Sequence, residues 1–134
     1  MARHNPVLTL SFEAGEDLSS YQFHAVVLDD NDTVVLMDAA DEVPIGVLQN
    51  APESGETAEV AVLGVAKTKA NGALTVGSPV KAEFVSVTDC GKADAADTDG
   101  DICIGHVVFA AGAEDDIASV LLTGPHYMSV PASG

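Results

Sequence analysis

A phrase that occurs twice in this chain limits its fold more than any other feature. Ile45-Gly46-Val47-Leu48 crosses the proline- and acid-containing turn of residues 49–56 into Thr57-Ala58-Glu59-Val60-Ala61-Val62-Leu63-Gly64. Ile104-Gly105-His106-Val107-Val108-Phe109 crosses the acidic turn of residues 110–116 into Ile117-Ala118-Ser119-Val120-Leu121-Leu122-Thr123-Gly124. Each copy is a short apolar run, a turn and a β-rich run closed by glycine, which is the pattern of a β-hairpin. Two hairpins of one design predict a single β-domain with a doubled plan.

The remaining segments fit around them. Val7-Leu8-Thr9-Leu10-Ser11-Phe12 alternates as a strand does, behind a loose arm. Tyr21-Gln22-Phe23-His24-Ala25-Val26-Val27-Leu28 and Thr33-Val34-Val35-Leu36-Met37 flank the polar turn of residues 29–32 and predict a further hairpin, with Tyr21, Phe23, Ala25 and Val27 on one face. Asn71-Gly72 marks a tight turn, and residues 80–87 read as another strand. A single helical turn is expected near Ala39, stopped by Pro44, or near Ala93. No window of eleven or more residues between breakers keeps a helical period. The expected fold is all-β: a compact antiparallel β-barrel or sandwich with an extended N-terminal arm and an irregular C-terminal tail. Its divisions are an arm at residues 1–10, a β-domain at 11–124 holding the two Ile-Gly hairpins, and a tail at 125–134.

A length of 134 residues is enough for one real core. That core is supplied by Ala, Val, Leu and Ile, with four Phe, two Tyr and no Trp, a composition better suited to thin β-layers than to an aromatic-walled ligand pocket. A formal charge of −16 repels phosphate backbones and anionic lipid, so direct nucleic-acid and membrane contact are not expected. No apolar run reaches the roughly 20 residues that span a bilayer, and the N-terminus has no signal-peptide core, so synthesis in the cytosol is expected. Cys90 and Cys103 flank an Asp-rich loop and are read as free, partly buried thiols, since a cytosolic chain keeps its thiols reduced.

Candidate chemistry is sparse. Asp97-Thr98-Asp99-Gly100-Asp101 places alternate carboxylates as a calcium loop would, but its glycine follows the second acid and the sixth position beyond is His106, so a solvated turn is the better reading. Cys90, Cys103 and His106, with His24 or His126, lack the paired spacing of a zinc site. Ser78 lies in a plain Gly-Ser-Pro turn with no nucleophile motif around it. Lys67 and Lys69 lack the flanks of a lipoyl- or biotinyl-bearing lysine. No catalytic, cofactor or metal residue is assigned. Gly46, Gly64, Gly105 and Gly124 are the expected structural glycines, placed for packing or bulges.

The order Ile45-Gly46-Val47-Leu48, Gly55-Glu56-Thr57-Ala58-Glu59-Val60, Leu63-Gly64-Val65 and Ile104-Gly105-His106-Val107 resembles the small capsid decoration, or cement, proteins of tailed bacteriophages. The resemblance covers roughly residues 5 to 124 and rests on structural glycines and β-patterns. It implies a compact β-domain, often trimeric, on the outer surface of an expanded icosahedral head, clamping neighbouring major capsid protein subunits. The implied partners are the major capsid protein and two further copies in a homotrimer, and the implied location is the virion, after synthesis in the host cytoplasm. The N-terminal segment of such proteins reaches to the shell or an adjacent protomer, which here means Arg3, His4, Asn5, Pro6, Val7 and Leu8. The Asp-rich loop and the tail from Pro125 depart from the shared pattern. The alternatives are a trimeric adhesion module of a phage surface or fibre, and a small cytosolic β-barrel enzyme.

Overall fold

The structure is a computed structural model and describes residues 5–39, 42–84 and 89–127. Nine strands follow in order: β1 (Asn5–Ala14), β2 (Ala25–Leu28), β3 (Thr33–Leu36), β4 (Gly46–Leu48), β5 (Thr57–Lys69), β6 (Pro79–Ala82), β7 (Ala93–Ala95), β8 (Ile102–Phe109) and β9 (Ile117–Tyr127). Among the described residues there is no helix. The strands join in one sheet of order β1-β3-β2-β4-β5-β9-β8-β6-β7, and β1 also pairs with β5. The two Ile-Gly hairpins are β4–β5 and β8–β9, both antiparallel.

The extra β1–β5 pairing closes a ring of five strands, β1-β3-β2-β4-β5. An odd ring cannot alternate direction all the way round, so one junction has to be parallel. That junction is β1–β3, where Glu13 meets Thr33 and Ala14 meets Val34. The sheet is therefore mixed, with this one parallel pairing among antiparallel ones, in keeping with the mostly antiparallel β-fold expected from the sequence.

Two cores share the central strands. Ala14, Val26, Val34, Leu48, Ala58 and Val60 pack together with Phe12 against them, and each belongs to a strand of the ring. The second core takes the neighbouring residues of the same strands, Ala25, Val47 and Ala61, and joins them to Ala66, Val80, Val107 and Val120. Strands β2, β4 and β5 are thus buried on both faces there, which is why they read as continuous apolar runs instead of alternating ones. Alanine at Ala25, Ala61, Ala66, Ala93 and Ala118 keeps the layers close.

β5 changes faces along its length. Val60 enters the ring core and Ala61 the second core, yet beyond Gly64 it is Ala66 that returns to the second core. A face switch needs an irregularity in a period-two strand. Gly64 provides it with φ +94, and a Cβ there would press on the Val7 amide and the Pro6 backbone. The β1–β5 register also slips on both sides of Leu8.

Several local expectations change. β2 begins at Ala25, not Tyr21, because Phe23 takes φ 70 and donates its amide to the Leu48 carbonyl at 2.7 Å. Ala93 lies in β7, where a helical turn had been possible. The other helical turn includes residues 40 and 41, outside the described residues, as do residues 85–87 of the expected strand at 80–87. From Asn5 onward the expected arm is the first part of β1, and Pro125 to Tyr127 of the expected tail continue β9.

Gly46 and Gly105 hold equivalent places in the two hairpins. A Cβ on Gly46 would collide with the carbonyl of Ala61, and one on Gly105 with the carbonyl of Leu121. Gly46→Val and Gly105→Val are each expected to cost about 1–3 kcal/mol, or to prevent soluble folding. Gly72→Ala, with open space around it, should be near neutral. Urea unfolding of the three variants checks this.

Candidate docking surface

The carboxylates are distributed unevenly over the sheet. None of the chain's 21 acids falls before Glu13, between Val60 and Ala82, between Ile102 and Ala113, or after Asp116. Those stretches supply the first part of β1, most of β5, all of β8 and β9, and β6. In the sheet these strands are neighbours.

Cross-strand partners face the same side of a sheet. Asn5 pairs with Val65, Val65 with Leu121, Leu121 with His106, and His106 with Pro79. This row crosses five strands on the side opposite the second core, to which the adjacent Ala66, Val80, Val107 and Val120 belong. Asn5, Leu121 and His106 are exposed, and Val65 and Pro79 half-buried. Beside the row, Leu8 pairs with Leu63. Exposure is high for such apolar residues: 82 % at Val7, 41 % at Leu8, and 39 % at both Leu63 and Leu121. A grouped set of uncovered apolar side chains on one sheet marks an interaction surface.

Of the arm residues named from the sequence, Asn5, Pro6, Val7 and Leu8 lie in β1 and border this surface, while Arg3 and His4 lie outside the described residues. Gly64 is the β5 bulge beside them, and Gly124 takes φ +90 where β9 gains residues relative to β8. Leu63, Leu121 and His106 had not been singled out as surface residues. The absence of acids around them was visible in the sequence; their adjacency was not, because it depends on pairing between distant strands.

A polar knot behind the sheet was also missed. Lys92 is buried, and its ammonium meets Asp115 at 2.7 Å, Asp89 at 2.8 Å and Glu114 at 3.3 Å. Burial alone would depress its pKa, but hydrogen bonds to Asp115, Asp89 and Glu114 outweigh that and raise it. The same hydrogen bond holds the Asp115 carboxyl below its ordinary value. In the same turn Gly91, at φ +84, leaves room for Ala25, whose amide donates to the Gly91 carbonyl at 2.7 Å. His24, also buried, donates from Nδ1 to the Cys90 carbonyl at 2.7 Å. Burial lowers the His24 pKa, with Lys69 and Lys92 adding to the effect and the Cys90 hydrogen bond opposing it. The knot ties the turn at residues 89–92 to β2 and to the β8–β9 turn.

The metal candidates are not brought together. Asp101 is occupied by its own loop, accepting from the amides of Asp97 and Thr98, and pairs with Lys81 at 3.5 Å. Cys90 and Cys103 are buried and not joined in a disulfide, and His106 is exposed. Lys67 and Lys69 lie within β5, not at a hairpin tip. Among the described residues no three His, Cys, Asp or Glu side chains converge on a metal position. A cleft of about 240 Å³ lies between Met37, Pro44, Phe84 and Ile102, rimmed by Glu42 and Glu83. A hydrogen bond to Asp94, aided by burial, raises the Glu83 pKa, and burial raises that of Glu42.

A mixed sheet with uncovered apolar strands and an acidic remainder has the make-up of a structural protein that works by contact. The fold resembles the crystal structure of the head fiber gp8.5 N base in bacteriophage phi29, with a TM-score of 0.61 over 87 % of this chain and 93 % of that one. At 18 % identity the likeness is one of fold. No curated protein matches the chain in sequence. The pattern that describes phage cement proteins matches residues 2–122. The chain belongs to the phage cement protein family and is a structural protein associated with the phage head.

The knot makes stability depend on pH. His24 has a depressed folded pKa, so the unfolded chain takes up its proton first, and stability falls as pH drops below about 6.5. The depressed Asp115 adds a second loss below about pH 4. The raised Lys92 contributes stability that is lost at the alkaline end, as pH rises through its folded value. Lys92→Met is expected to cost about 1–3 kcal/mol at neutral pH and to flatten the two outer limbs. His24→Gln should flatten the limb near 6.5. Thermal melting across pH checks both variants.

Proposed function

We propose that this protein binds the outer surface of the expanded icosahedral head as a homotrimer and stabilises the shell by bridging major capsid protein subunits. Membership of the phage cement family is the observation that carries the reading. The physical features agree with it. Reinforcement calls for repeated shallow contacts gripping several subunits at once, where avidity multiplies modest affinities. The start of β1 offers Val7 and Leu8 for such contacts, with Arg3 and His4 next in the chain. A strand of this kind can also add to a neighbour's sheet edge through backbone hydrogen bonds. The acidic remainder of the chain, at −16 overall, keeps decorated particles from clumping. The site is the virion surface after synthesis in the host cytoplasm, and neither nucleic acid, membrane, cofactor nor catalytic step enters the reading.

A second reading has one observation in its favour. The fold neighbour is the base of a head fiber, so this domain would instead seat a fibre or adhesion module on the head. Both readings put the domain on the shell, and they differ in what projects from it.

Purified protein added to empty expanded heads is expected to bind saturably at a fixed ratio and to raise the melting temperature of the shell. Binding without any rise would favour the fibre-base reading, and no saturable binding would remove both. Deletion of residues 1–7 should weaken attachment while the domain stays folded by circular dichroism, and unchanged affinity would remove the arm from the contact.

A further inference from the structure

We infer that the row Val65–Leu121–His106–Pro79, on the outward face of β5, β9, β8 and β6, is the surface through which copies of this chain meet one another. The inference names the self-association surface of the homotrimer proposed above and rests on that part of the reading. Each copy carries −16, so most faces that two copies bring together press carboxylates against carboxylates in a partly dehydrated space. Burying an ionised carboxylate without a cation to meet it is strongly unfavourable, and five Lys and Arg are too few to neutralise 21 acids.

The outward row avoids that penalty. Strands β8 and β9, which form its middle, contain no Asp or Glu, and neither does β6 or the part of β5 from Val60 onward. Leu121 is the apolar anchor of the row, uncovered in the single chain, with Val65 half-buried beside it. His106 and Asn5 flank it with polar groups able to hydrogen-bond across a contact. A face without carboxylates, with an apolar centre and with Lys67 and Lys69 following Val65 on the same side of β5, can meet the acidic remainder of a neighbouring copy without pressing like charges together.

The rest of the exposed apolar set provides the control. Leu28, at 46 % exposure, is as uncovered as Leu121 but sits on β2, beside the acidic turn of residues 29–32. Exposure alone would make Leu28 an equal candidate, whereas the charge argument excludes it.

Analytical ultracentrifugation of the full chain at graded concentration tests this. The wild type is expected to form a closed oligomer. Leu121→Asp and His106→Glu should each weaken association by about 30-fold or more, as loss of a central contact does, and Leu28→Asp should leave it unchanged. Circular dichroism and melting temperature verify that all three variants fold; if Leu121→Asp does not, the exposed His106→Glu still gives the answer. A monomeric wild type overturns the inference, as does association that survives both row substitutions or is lost equally in Leu28→Asp. Binding of the wild type to expanded heads is measured alongside. Its failure would count against the docking reading and leave the self-association result standing, while normal docking with unaltered association in the row variants would overturn only the inference.

Discussion

Everything in this structure depends on β5 being usable from both sides. It is the longest strand, and it closes the five-strand ring through β1 and β4 while continuing the sheet through β9 to β8, β6 and β7. A strand that packs on two cores has to give alternate residues to each, and when its partners change along its length the assignment has to change too. The bulge at Gly64 makes that change, moving the second-core role from Ala61 to Ala66 within a few residues. With a side chain at Gly64 the strand would keep one phase and β1 would lose its approach. Ring closure and the continuation of the sheet beyond it therefore rest on one residue's backbone freedom.

The second constraint is charge. A chain with so few cations has to place each one carefully, and Lys92 is placed where three carboxylates converge behind the sheet. It binds the turn at residues 89–92 to the β8–β9 turn, so the hairpin that carries the outward row is anchored by an ion network as well as by its strand pairing. His24, just ahead of β2, is held to the same turn by its hydrogen bond to the Cys90 carbonyl.

For a cement protein these two constraints have a common consequence. Rigidity comes from strands locked on both faces, and the acids are left on the remaining surface. The acid-free part of the sheet, from the start of β1 through β5, β9, β8 and β6, stands apart from both. The cleft beside Lys81 and Asp101 is lined by the end of β6, the start of β8 and Met37, Glu42 and Pro44.

The two Ile-Gly hairpins were legible because each is local: a short run, a turn and a return, with glycine where the neighbouring strand's carbonyl comes close. The all-β class followed from the same periodicities, and the uneven placement of acids can be read directly along the chain. Other features were decided only in three dimensions. The parallel β1–β3 junction follows from closing an odd ring, a condition on five strands jointly that no single segment contains. The late start of β2 follows from the bond between Phe23 and Leu48, and the convergence on Lys92 from turns far apart in sequence. The row that sets Leu121 beside Val65 and His106 is likewise a matter of register between strands. Local sequence determines which residues form strands because backbone preference and alternation act over a few residues; which strands become neighbours is settled by burying their faces together, and that free energy belongs to the whole sheet.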